Sequence, residues 1–385
     1  MQELEKRLEI GTRLTRDVLE PMKSAFVGKD EVIDLLGVCL AAGENLFILG
    51  PPGTAKTALV RELGRRLHGQ VFDYLLTRFT EPNELFGPFD LRRLREGELV
   101  TNTEGMLPEA ALVFLDELLN ANSAILNSLL MVLNERIFRR GRETRHLPLL
   151  MVVAASNRLP EEDSLNALFD RFLMRVHCDN VADERLASVL DAGWRLDHHN
   201  GESATQLATD DIKCLQTAIK DIDVTTVRPA YLELVRRLRR AGIEVSDRRA
   251  VRLQRLVAAS AVLCGRVTAH ESDLWIVRHI WDTEEQQEVI AAIVQEAIPA
   301  AVEPSTTRVH PRAQVGDRPD SNELARDLDR LSEQFAAGDL SESMRSTLRD
   351  QLSLLAGRCQ WIESSQQREF LDQKVAALWA QVGEA

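Results

Sequence analysis

The sequence predicts an α/β fold with a parallel sheet, then an all-α lid domain, then a C-terminal helical bundle. Three observations predict it. Up to about residue 182, short apolar runs alternate with helical patterns, as in a parallel sheet covered on both faces. From Asp183 the strand pattern ends, and helical patterns follow one another to residue 298. Beyond a stretch rich in Pro, Ser and Thr, three apolar stripes recur at helical spacing.

The elements follow in order. Residues 1–20 read as a helix stopped by Pro21. Asn45–Leu49 is an apolar strand that runs into a Gly/Pro loop, and a helix continues from Lys56 to about Leu67. Val71–Leu76, Leu112–Leu115 and Leu149–Ala155 are further strands, with a helical pattern over Ser123–Leu133. Two polar stretches interrupt the alternation: residues 78–108, and residues 136–147, which read as a hairpin around Gly141. In the helical region Thr268 and Glu271 are spaced as a capping box. The expected domains are 1–182 (α/β), 183–298 (lid), 299–320 (linker) and 321–385 (bundle). The bundle's seams are Leu324, Leu328, Leu331 and Phe335; Met344, Leu348, Leu352 and Leu355; and Leu371, Val375, Leu378 and Val382.

A net charge of -13 disfavours broad binding to nucleic acid or an anionic membrane. The five cysteines include no CxxC pair, so neither a zinc ribbon nor a disulfide framework is indicated. The N-terminal residues lack the apolar run of a signal peptide, and Leu149–Ala155 is too short to span a bilayer. The expectation is a cytoplasmic protein with no membrane span. His198-His199 lacks further ligand spacing and suggests no metal site.

Chemistry concentrates between residues 50 and 171. Gly50, Pro51, Pro52, Gly53, Thr54, Ala55, Lys56 and Thr57, with Ala58 following, match the phosphate-loop pattern GxxxxGK[ST]. Such a loop wraps phosphates with backbone N–H groups at the start of a helix. Lys56 adds a point charge for the outer phosphates, and Thr57 offers a hydroxyl to Mg2+. Leu112–Leu115 ends in Asp116 and Glu117. Strand-end acids often serve only as helix caps; downstream of a phosphate loop they read as a metal carboxylate held through water (Asp116) and a water-activating one (Glu117). Asn157 ends the next strand, where it would share that water. Arg171 lies between apolar residues just before another strand. An arginine that reaches a neighbouring subunit's ATP supplies about a thousandfold or more in rate. Arg175 is the other candidate for that role. Arg248, at a helix start, reads equally as a contact to phosphate from the same subunit and as part of a solvated helix start. The clusters Arg236, Arg237, Arg239, Arg240 and Arg139, Arg140, Arg142, Arg145 read as solvated or acid-paired faces, the second also as a pore or partner surface.

Together these motifs resemble the MoxR family of AAA+ ATPases over about residues 20–290, and Ser156–Asp163 with Phe169–Arg175 resemble its RavA-type branch. The resemblance implies that Phe26, Val27, Gly28 and Lys29 lie beside the adenine. It implies that residues 78–108 form the helix-2 insertion and 136–147 the hairpin before the first sensor. It makes Arg171 the arginine finger and Arg248 the second sensor. It implies ATP and ADP as ligands with Mg2+, a homo-oligomeric ring of six, chaperone-like remodelling of an unknown protein substrate, and a von Willebrand factor A-domain protein as partner. Two features depart from the pattern: the segment after residue 300 is short, and Asp247 stands where many members have proline. Two rival functions are a nucleic-acid motor or loader, which the acidic balance disfavours, and a slow-turnover ATP-dependent scaffold, which intact Glu117 and Arg171 disfavour.

Overall fold

The computed structural model describes residues 2–96, 99–140, 143–160, 165, 168–181, 183–198, 207–298 and 309–314, with parts of 324–359 and 365–383. The chain forms two compact units, Met1–Gln314 and Val315–Ala385.

The first unit is built on strands β1 (Leu46–Leu49), β2 (Val71–Leu75), β3 (Leu112–Asp116), β4 (Ile137–Arg140), β5 (Glu143–His146), β6 (Met151–Ser156) and β7 (Met174–His177). Five of them form one sheet in the order β2-β3-β6-β1-β7. Every pairing in it is parallel. The inner strands β1 and β6 are buried at every position. Their unbroken apolar runs are what a sheet covered on both faces requires. The helices Asp30–Ala42 and Lys56–Arg66 pack on it.

Pro21 does not stop the first helix. A π-helical turn over Leu14–Leu19 precedes it, and the helix resumes over Glu20–Ala25 with the proline in its first turn, where the missing N–H costs little. Leu14, Val18, Leu19 and Met22 are each at most 2% exposed, so core packing outweighs the local stop signal.

The two polar stretches are hairpins that hold each other. Phe89 and Thr101 bridge antiparallel within residues 78–108. Strands β4 and β5 pair antiparallel, with the turn itself outside the described residues. Arg140 stacks over the Phe89 ring at 3.9 Å and donates to the Gly87 carbonyl at 2.8 Å. Phe86 and Phe138 stack at 5.4 Å.

The lid contains the helices Arg228–Arg240, Asp247–Leu263 and Glu285–Ala297, with a 3-10 helix over Glu271–His279. The capping box there is His270 with Asp273, two positions beyond the expected pair. Asp273 is fully buried and also takes Arg266 and Ser260, so one carboxylate both caps the helix and anchors the lid core. Residues 309–314 fall in the expected linker, yet Arg312 pairs with Asp34 at 2.9 Å and His310 stacks on Trp275 at 4.5 Å.

In the second unit Leu324, Leu328, Leu331, Leu348, Leu352, Leu371, Val375 and Leu378 share one core, joined by Cys359. Phe335 and Met344 lie outside the described residues. No described helix is long and apolar enough to cross a membrane.

Candidate functional site

Because the sheet is parallel, the carboxyl ends of its strands meet at one edge, where ligands of open α/β sheets bind. Leu49 of β1 lies opposite Ser156 of β6. Asp116 of β3 lies opposite Leu75 of β2. The register therefore brings the loop from Gly50 to Thr57, the pair Asp116–Glu117 and Asn157 to the same edge.

The phosphate loop is shaped by close backbone packing. The Gly50 N–H donates to the Ser156 carbonyl at 3.0 Å. A Cβ at Gly50 would lie 2.3 Å from the Cys178 carbonyl oxygen, so a side chain there is excluded. Ala55 is left-handed (φ 67) at the loop's end, just before the helix. Lys56 Nζ donates to the carbonyls of Gly50 (2.9 Å) and Pro51 (2.7 Å), and Thr54 Oγ1 also donates to Pro51 (3.0 Å). The ammonium is thus held by its own loop. Thr57 is partly exposed in the first turn of the helix.

Glu117 is left-handed (φ 52), a strained backbone for a glutamate and one often found at functional positions. Its N–H donates to Asp116 Oδ1 at 3.0 Å, and Asn120 Nδ2 reaches Glu117 Oε2 at 3.5 Å. Burial first, then the adjacent Asp116, raise the Glu117 carboxyl above its ordinary range, against the opposing pull of Lys56 and Arg158. A raised carboxylate is a better proton acceptor. Asn157 is exposed directly after β6. The Thr57 hydroxyl and the Asp116 carboxylate are hard oxygen donors, the type Mg2+ prefers. Among the described residues no group of three or more His, Cys, Asp or Glu could hold a metal. Thr57 and, through water, Asp116 would hold a cation here, with phosphate supplying the rest of its oxygens.

Phe26 to Lys29 sits beside this edge. Lys29 Nζ donates to the Asp179 carbonyl, and Gly28 (φ 73) leaves only 3.2 Å between an added Cβ and Val181. Cys178 connects this segment to the loop: its N–H donates to the Leu49 carbonyl at 2.8 Å and its Sγ to the Thr54 carbonyl at 3.4 Å. Sequence reading gave Cys178 no such part, since nothing in its neighbourhood marks it as a loop contact.

The arginines lie elsewhere. Arg171 precedes β7, whose first residue Met174 is opposite Leu46, the start of β1. Arg171 therefore stands at the amino edge, a strand length of roughly 13 Å from its own phosphate loop. It lines a cavity of about 600 Å³ together with Arg239, Arg248, Arg249, Arg252 and Asp282. Arg171 Nε is buried without a hydrogen-bond partner. Burial, then Arg248, lower its pKa from the ordinary value, while Asp170 opposes them. Ser246 caps the helix that carries Arg248, and Arg252 one turn on pairs with Glu44 just before β1. That contact holds the helix start at the amino edge. Against the expected same-subunit contact, Arg248 shares the cavity of Arg171.

Arg175 is fully buried. It donates to the carbonyls of Ile280 (3.0 Å) and Trp281 (2.9 Å), pairs with Asp282 at 2.9 Å and lies over the Phe169 ring at 4.1 Å. Burial first, then Arg249, pulls it down to about 9. Arg175 fastens β7 to the lid and cannot reach outward. The clusters expected to be acid-paired include Arg237 with Glu296, Arg239 with Asp247, and Arg236 and Arg240 with Glu233. In the hairpin cluster, Arg145 bonds Thr103 at 2.9 Å and Glu109 at 3.5 Å, so with Arg140 it ties the hairpins together.

A five-stranded parallel sheet, a phosphate loop after β1, acids after β3 and an all-α lid define the AAA+ class of nucleoside triphosphatases. The chain belongs to the MoxR family of AAA+ ATPases: residues 12–217 match the family described as the MoxR domain in the MoxR-vWA-beta-propeller ternary systems. Residues 224–294 match an AAA lid domain. An uncharacterised protein of Methanocaldococcus jannaschii is 35% identical over 269 residues, 69% of this chain and 71% of the relative. Chaperone MoxR1 of Mycobacterium tuberculosis is 26% identical over 207 residues, 53% of each chain. A crystal structure from Cytophaga hutchinsonii, assigned as an ATPase, superposes with a TM-score of 0.63 at 21% identity, covering 76% of this chain and 96% of that one. That likeness concerns the fold.

Proposed function

We propose that this chain hydrolyses ATP in a Mg2+-dependent reaction at sites shared between neighbouring copies, and uses the cycle to remodel or assemble protein partners. The observation that carries this reading is the placement of Arg171. It stands at the edge of the sheet opposite its own phosphate loop, in an arginine-lined cavity, with a buried Nε that has no partner. An arginine so placed has no role at its own nucleotide and fits the terminal phosphate of a neighbour's.

In this mechanism the loop N–H groups and Lys56 hold the phosphates, Lys56 exchanging the Gly50 and Pro51 carbonyls for phosphate oxygens. Thr57 and, through water, Asp116 would hold Mg2+, which would supply charge neutralisation at the outer phosphates. Glu117 and Asn157 orient a water, whose oxygen bonds to the terminal phosphorus as the bond to the bridging oxygen breaks. Glu117 takes the water's proton, and ADP and phosphate are left. Arg171 and Arg248 of the adjacent copy stabilise charge on the transferring group. Loss of that phosphate removes their partner, so ATP and ADP states differ in how the copies engage. Such a difference is the condition for nucleotide to drive movement.

The family description places such domains in systems with a von Willebrand factor A-domain protein and a β-propeller. We propose such proteins as partners, and a ring of six copies. The acid pairing of Arg236 to Arg240 supports a protein rather than a nucleic-acid client.

The test is steady-state ATPase rate against protein concentration, with particle size measured in parallel. The rate per subunit should rise as assemblies form. A rate independent of concentration, with Arg171→Ala as active as wild type, would overturn the shared site.

A further inference from the structure

The Arg171 side chain is not aimed by its own contacts, since its buried Nε has no partner. Its backbone is held instead. The Arg171 N–H donates to the Leu168 carbonyl at 2.9 Å, and Phe169 and Phe172 pack edge-on against Phe47 of β1. The other side of the residue, its carbonyl, accepts a bond from Asn45 Nδ2 at 3.3 Å.

Asn45 is 1% exposed and immediately precedes β1. Its Oδ1 accepts from Arg136 Nη2 at 2.8 Å and from the Val152 N–H of β6 at 3.2 Å. Both partners can only donate, so the amide oxygen must face them and the NH₂ is left for the Arg171 carbonyl. The carboxamide thus accepts twice through its oxygen and donates through its nitrogen. Arg136 ends the helix Ser123–Glu135 in a left-handed conformation (φ 55) and accepts the Leu147 N–H at 2.8 Å, closing the base of the β4–β5 hairpin. Its Nη2 also reaches the Gly43 carbonyl at 3.3 Å, and its Nη1 is buried without a partner.

We infer that Asn45, gripped by Arg136, is a positioning residue for Arg171: it fixes the peptide from which the arginine reaches a neighbour's nucleotide, and ties that peptide to the hairpin base. The inference rests on the shared-site reading above. Nothing in it places Asn45 or Arg136 in contact with substrate.

The testing variant is Asn45→Asp. The carboxylate keeps both accepted bonds, loses the donated one and sets an oxygen against the Arg171 carbonyl. With full-length protein above its assembly concentration, kcat should fall about tenfold while KM for ATP stays unchanged. Asn45→Asp protein is then mixed with Glu117→Gln protein in equal amounts. Where a Glu117-intact copy meets an Asn45-intact neighbour, the site is whole. The ATPase rate should therefore exceed the mean of the two pure proteins and approach roughly a quarter of wild type. A merely structural defect in Asn45→Asp would give no such gain. The reference mixture pairs Arg171→Ala with Glu117→Gln. If the reference gains activity and the Asn45→Asp mixture does not, the positioning role is wrong and the shared site stands. If neither mixture gains, both are wrong. Should Asn45→Asp fail to bind nucleotide, Arg136→Lys replaces it in the same mixture, with the same two outcomes.

Discussion

The two edges of one sheet are built in different ways. At the carboxyl edge, Lys56, Thr57, Asp116 and Glu117 come from short, contiguous motifs, and Lys56, Asp116 and Glu117 are held by neighbours a few residues away. At the amino edge, the cavity draws Arg171 from before β7 and Arg239, Arg248, Arg249 and Arg252 from the lid. Local hydrogen bonds make the first edge nearly complete within one chain. Lid packing makes the second, and there the buried Arg171 Nε is still without a partner. The two polar clusters of this chain face opposite ways, as the proposed shared site requires.

The comparison can be broken most directly at Arg171. Arg171→Ala should lower the ATPase rate about a thousandfold or more while leaving ATP affinity intact, as read by titration with a fluorescent nucleotide. Weakened nucleotide affinity in the isolated subunit would mean that the two edges are not separate. Glu117→Gln should slow turnover by about a hundredfold or more, again with binding retained. A near-normal rate would remove Glu117 from the chemistry.

Two further expectations separate chemistry from architecture. Arg175→Ala should act on stability, because it strips the Trp281 carbonyl of its arginine donor and takes from the Ile280 carbonyl and from Asp282 one of their two arginines each. Denaturant unfolding should show a loss of about 3–5 kcal/mol, where Arg171→Ala shows little. Equal stability of the two variants would contradict the division between a fastening arginine and a reaching one.

The smallest effect concerns pH. The folded state raises the Glu117 carboxyl, so it binds that proton more tightly than the unfolded chain does. Any stability the site draws from that proton is present below the unfolded value and is lost as pH rises through the folded one. At neutral pH the ionised Glu117 therefore costs stability, and Glu117→Gln should melt slightly above wild type. That advantage should shrink to nothing as pH falls below the ordinary carboxylate range. A Gln variant less stable than wild type at neutral pH would reverse the sign.

Much of this was legible in sequence for a simple reason: phosphate loops and strand-end acids are local patterns. So were the inner strands β1, β3 and β6, whose apolar runs are continuous because both faces are covered. The misreadings have physical causes too. Pro21 reads as a stop, but a π turn and a buried face carry the helix past it. Thr268 and Glu271 have capping-box spacing, but the fully buried Asp273 takes the role because it also neutralises Arg266.

By itself the sequence determined the chemistry available at the carboxyl edge and the order of the elements that deliver it. It could not say which way an arginine faces. Arg171 and Arg175 are four residues apart on one segment, and only packing makes one a buried fastening and the other a cavity wall. Arg248 is likewise a helix-start arginine in sequence, and the pairing of Arg252 with Glu44 decides which edge it serves. Motifs are set by backbone geometry over a few residues. Direction across a sheet is set by contacts between residues more than a hundred positions apart, such as Asn45 with Arg171, and these exist only once the chain has folded.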